Sequence, residues 1–67
     1  MRLCINGTKR DMPDELTTVA DAVRYLGLSE KTIIVEQNGG ILQKEDHENA
    51  VLKDEDVLEI VTFVGGG

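Results

Sequence analysis

The chain has 67 residues, enough for one domain and no second. At this size folding buries only about 60% of the unfolded surface, so a catalytic cleft with its own substrate-binding lobe is excluded. Thirteen Asp and Glu against seven Lys and Arg give a net charge of -6, with one Phe and one Tyr; that excludes nucleic acid, which needs clustered cations and stacking rings, and suits a basic protein surface.

Arg2 to Ile5 alternates, with Leu3 and Ile5 on one face and Cys4 on the other. Cys4 is the only cysteine, which excludes an internal disulfide and a cysteine-cage metal or iron–sulfur site. A secreted chain this small is usually stapled by disulfides, so a reducing cytoplasm is the expected compartment. The first residues lack the apolar region of a signal peptide, and no apolar run approaches the roughly 18 residues of a membrane span. With no basic neighbour or second thiol in sequence, Cys4 reads as a spectator. Asn6-Gly7 is a strong hairpin signal, because both central positions of a type I′ turn need positive φ. The second strand is expected near Lys9–Met12, closed by Pro13.

Thr18 suits the N-cap of a helix, with Asp21 reaching back as the other half of a capping box. Val19, Ala22, Val23 and Leu26 recur on one helical face, and Gly27 sits where a left-handed residue ends a helix. Thr32-Ile33-Ile34-Val35-Glu36 is rich in β-branched residues and reads as a third strand. Asn38-Gly39-Gly40 is a turn; a phosphate-binding loop would need a Lys and a following helix. Ile41-Leu42 is a short edge piece.

Gln43 to Asn49 is polar and irregular, with one helical turn around Glu45–His47 and His47 expected to be an exposed titrating side chain. Lys53-Asp54-Glu55-Asp56 is another turn; its acids have the wrong spacing for calcium and read as solvated. Val57 to Phe63 is the longest strand signal, with Leu58 and Ile60 on one face and Val57, Glu59, Val61 and Phe63 on the other. The sum is an α+β fold, a mixed sheet of four to five strands with one main helix packed on one face. The other face is left to water or a partner. Residues 1–63 form the domain and residues 64–67 a glycine tail.

The tail, Val64-Gly65-Gly66-Gly67, is the best candidate for chemistry. Glycine lacks Cβ and lets another protein's backbone close around it. Four residues span at most about 13–14 Å, enough to enter a cleft while the domain stays outside. A terminal carboxylate is ionised at neutral pH and is a poor electrophile, so reaction there requires prior activation.

A hairpin, one helix and further strands ending in Gly-Gly resemble the β-grasp fold of ubiquitin-like proteins. Within these, Leu3-Cys4-Ile5-Asn6-Gly7, Ile33-Ile34-Val35-Glu36-Gln37-Asn38-Gly39 and the ending Asp56 to Gly67 most resemble the sulfur carriers of thiamin biosynthesis, the ThiS family. The small subunit of molybdopterin synthase shares the fold and a Gly-Gly end, but often carries Pro before its final residues. Here Val61-Thr62-Phe63 has none.

The resemblance implies a protein co-substrate with no catalytic residues and no cofactor of its own. An E1-like (ThiF-like) adenylyltransferase would use ATP and Mg to adenylate the Gly67 carboxylate. Sulfur from a cysteine desulfurase would then give a thiocarboxylate that serves a ThiG-like thiazole synthase. Gly65 and Gly66 would lie in the partner's active site. Glu59, Val61, Phe63 and Val64 are expected to contact the partner, with the Asp54–Asp56 cluster adding charge complementarity. Packing of Val61 and Phe63 under a loop is the alternative. A ubiquitin-like modifier joined to target lysines is the other functional class that this ending allows.

Overall fold

The computed structural model describes residues 1–63. The chain begins as the Asn-Gly pair dictates. Strands β1 (Arg2–Ile5) and β2 (Thr8–Asp11) pair antiparallel, joined by Asn6 at φ 51° and Gly7 at φ 82°, the positive values of a type I′ turn. β2 starts one residue earlier than the sequence suggests. Met12 has left the ladder and is buried, its N–H donating to the Met1 carbonyl at 2.7 Å.

Helix α1 (Val19–Tyr25) is short and therefore depends on its ends. At the start, Asp21 N–H donates to Thr18 Oγ1 at 3.3 Å and Thr18 N–H to Asp21 Oδ2 at 3.1 Å, the expected reciprocal box. At the end, Gly27 at φ 77° donates to the Arg24 carbonyl, and Leu28 N–H reaches back to Val23 O at 3.0 Å. These two bonds form a Schellman motif. No helix among the described residues is long and apolar enough to cross a membrane.

Strands β3 (Thr32–Gln37) and β4 (Gly40–Leu42) form a second hairpin, again through an Asn-Gly turn with Asn38 at φ 51° and Gly39 at φ 88°. A 3₁₀ turn at Lys44–Asp46 and an irregular stretch lead to β5 (Val57–Phe63). The strands form one sheet in the order β2-β1-β5-β3-β4. β5 lies in the middle, parallel to β1 and antiparallel to β3. This is the expected α+β arrangement. Leu3, Ile5, Val35, Leu58 and Ile60 from the sheet meet Val19, Ala22 and Val23 from the helix, with Met12 and Leu52 closing the core.

Two expectations are overturned. His47 is 8% exposed, not a solvated side chain. Its carbonyl accepts from Ala20 N–H at 2.9 Å, and the Ala50 carbonyl accepts from Val19 N–H at 2.8 Å. The stretch around His47 thus satisfies the free N–H groups at the start of α1, and this pins the imidazole against the body of the domain. Its Nε2 is buried and has no hydrogen-bond partner among the described residues. Asp56, read as part of a solvated acidic turn, is 7% exposed. Its carboxylate is spent on hydrogen bonds inside the fold, so it cannot contribute to surface charge complementarity. Asp54 remains at the surface, where its Oδ1 accepts from Arg2 N–H at 2.6 Å.

Candidate functional site

The candidate site is the end of β5 and the sheet face around it. β5 is held by the side chains of both Asn-Gly turns. On the β1 side, Asn6 exchanges hydrogen bonds with the backbone of Ile60 at 2.7 and 3.1 Å. On the β3 side, Asn38 Oδ1 accepts from Val57 N–H at 2.8 Å. Each Asn therefore does two jobs, taking the left-handed position of its turn and extending a ladder onto β5.

Asp56 completes the anchor. It accepts from Asn38 Nδ2 at 2.9 Å, Lys53 N–H at 2.9 Å and Gln37 Nε2 at 3.1 Å. Burial pushes its carboxyl up, but the bonds from Asn38, Lys53 and Gln37 outweigh that and hold it below the ordinary carboxylate range. The turn before β5 is thereby fastened to the turn after β3, which sets where β5 begins.

Leu58 and Ile60 point into the core, as the alternation predicts. The opposite face is uncovered by the described residues: Ile34, Ile41, Val57, Val61 and Phe63 are between 41% and 65% exposed. Among the described residues, no loop packs over Val61 or Phe63. Residues directly opposite on neighbouring strands share a face, and the register joins Ile34 to Val61, Glu36 to Glu59 and Thr32 to Phe63. Ile41 stands opposite Glu36 on the other side of β3. Cys4 lies opposite Val57, on the same open face, and is partly buried.

Glu59, Val61 and Phe63 are therefore brought together, with Ile34, Glu36, Ile41 and Val57 added by the pairing of β3, β4 and β5. The run Thr32–Glu36 carried the alternation that would have placed Ile34 and Glu36 on one face, but not the strand they would adjoin. Val64, Gly65, Gly66 and Gly67 lie outside the described residues. A groove of about 400 Å³ lies on the helix side, among Val23, Arg24, Leu28, Ile33 and His47. It is separate from the open face.

One helix laid across a mixed five-stranded sheet with parallel β1 and β5 at its centre defines a β-grasp protein of the ubiquitin-like class. The comparisons narrow this. The ThiS family model matches residues 3–67. The Sulfur carrier protein ThiS of Bacillus subtilis (strain 168) is 40% identical over 65 residues, 97% of this chain and 98% of that protein. The crystal structure of the thiamine biosynthesis protein ThiS from Geobacter metallireducens superposes with a TM-score of 0.78 at 31% identity, covering 100% of both chains. A Thiazole synthase of Paramagnetospirillum magneticum is 37% identical over 67 residues, all of this chain but only 20% of that protein. The chain belongs to the ThiS family.

Proposed function

We propose that this protein is a sulfur carrier for thiazole formation in thiamin biosynthesis, with the Gly67 carboxylate as its reacting group. The observation that carries the reading is a family match running from residue 3 through the last glycine, in a domain whose central strand leads into the tail. The carrier supplies no acid, base or nucleophile from its folded body. It is a co-substrate handled by other enzymes.

The chemistry follows from the carboxylate. Its oxygen attacks the α-phosphorus of ATP in an E1-like adenylyltransferase, with Mg held by that enzyme, and pyrophosphate leaves. The terminal sulfur of a persulfide, charged by a cysteine desulfurase, then displaces AMP from the acyl carbon. Cleavage of the remaining S–S bond by a thiol leaves Gly67 as a thiocarboxylate and the two thiol sulfurs as a disulfide. The thiocarboxylate is nucleophilic where the carboxylate was inert, and thiazole synthase takes its sulfur.

A polypeptide named thiazole synthase that contains a stretch similar to this whole chain supports that acceptor. Gly65 and Gly66 serve reach, admitting the tail to the partner's active site. Glu59, Val61, Phe63 and Val64 make the docking contact. These reactions run in the cytoplasm, where Cys4 stays reduced.

Intact mass spectrometry after incubation with the cognate adenylyltransferase, ATP–Mg and a sulfur source tests the reading. The expected result is a gain equal to the mass difference between sulfur and oxygen, lost when Gly67 is deleted while the circular dichroism spectrum is unchanged. Sulfur acceptance by the truncated chain, or conjugation to target lysines in its place, overturns it.

A further inference from the structure

Glu36 and Glu59 are directly opposite one another on β3 and β5. Their Cα atoms are therefore about 4.5–5.5 Å apart, and like charges so placed destabilise a sheet. Neither carboxylate has an ion-pair partner among the described residues. Around them stand apolar side chains: Ile34 and Val61 in the row toward the C-terminal end of β5, Val57 on the other side, and Ile41 beyond Glu36. An unneutralised acid pair inside an uncovered apolar ring is unfavourable in the free protein. It becomes favourable when one cation is inserted and the ring is covered.

We propose that this face docks the adenylyltransferase by taking one of its arginine side chains between Glu36 and Glu59, sealed by the surrounding apolar residues; this rests on the carrier reading above. Two carboxylates on neighbouring strands give a calcium ion too few of the six to eight oxygens it takes. They match the planar, forked donor set of a guanidinium, which bridges adjacent carboxylates better than the point charge of lysine. The net charge of -6 draws the same basic surface from a distance. The ring excludes water from the contact, the condition under which a charged pair at an interface becomes a main determinant of affinity.

The inference predicts opposite effects on the free and bound protein. Glu36→Gln and Glu59→Gln should each raise the melting temperature of the full chain by roughly 1–5 °C, because a like-charge pair is removed. Each should weaken binding to the adenylyltransferase about tenfold by calorimetric titration and lessen its dependence on salt. Glu30→Gln and Glu45→Gln, exposed but away from the open face, should leave affinity within about twofold.

A fall in melting temperature for both face variants would mean that the pair serves the fold, and unchanged affinity would mean that no cation seats there; either overturns the inference. If the unaltered chain is not adenylated at all, the carrier reading fails and takes this one with it. If it is adenylated and the face variants bind equally well, only the docking inference falls.

Discussion

Asn6 and Ile60 pair as if both were strand residues: Ile60 N–H donates to Asn6 Oδ1 at 2.7 Å, and Asn6 Nδ2 donates to the Ile60 carbonyl at 3.1 Å. A side-chain amide thus continues the β1–β5 ladder past the point where the β1 backbone has turned away. Asn6→Ala strands both polar groups of a buried residue and puts a methyl at φ 51°. The expected cost is about 2–3 kcal/mol, or a fall in melting temperature of roughly 10–20 °C by circular dichroism. A melt within about two degrees of the parent would show that the pair does not hold β5.

Asp56 makes stability depend on acid. Its carboxyl is held below its ordinary value in the folded protein, because the bonds from Asn38, Lys53 and Gln37 outweigh the effect of burial. A depressed carboxyl stabilises the fold above its unfolded value, near pH 3.9. That contribution is lost as pH falls through the lower folded value. Asp56→Asn turns a donor toward groups that are themselves donors and should cost about 1–3 kcal/mol at pH 7. Urea unfolding at pH 7 and pH 3 should show the gap between parent and variant narrowing at the lower pH. A gap that widens would contradict the assignment.

These two residues show what was legible and what was not. Asn6-Gly7, Asn38-Gly39 and Gly27 announce backbone conformations that few residues adopt, so the turns and the helix end are visible in a local window. The alternation from Val57 to Phe63 likewise separates the core face from the open one. The burial of Asp56 is invisible in a local window because its partners Gln37 and Asn38 come from another hairpin. His47 sits in a polar stretch whose role, accepting from the start of α1, appears only once the two segments meet. For the same reason Ile34, Glu36 and Ile41 could not be assigned to the open face. Which strands flank β5 is a non-local pairing, and no period along the chain reports it.

His47 offers a test of its own. A buried Nε2 without a partner costs more than it returns, whereas an apolar side chain of similar size leaves no polar atom to satisfy. His47→Leu should therefore melt at the same temperature as the parent or above it. Its backbone carbonyl, and hence the support of α1, is retained. A fall of more than about 5 °C, on the order of 1 kcal/mol, would mean that the imidazole makes a bond in solution that this structure lacks.

The open face and the core face of β5 should separate binding from folding. Val61 and Phe63 are 52% and 51% exposed, against 6% for Ile60, which points into the core on the other face of β5. An aspartate at either exposed position stays in water, so Val61→Asp and Phe63→Asp should remain folded. Each nevertheless places a desolvated charge in the proposed contact, and the rate of adenylation at subsaturating carrier should fall at least about tenfold, equivalent to about 1.4 kcal/mol. Ile60→Ala should behave the other way, losing about 2–5 kcal/mol of stability through the cavity it leaves. While Ile60→Ala stays folded, its adenylation rate should match the parent's. Normal adenylation of both aspartate variants would remove Val61 and Phe63 from the docking contact. A loss of folding in either would instead place that side chain in the packed structure, against the exposure on which the argument rests.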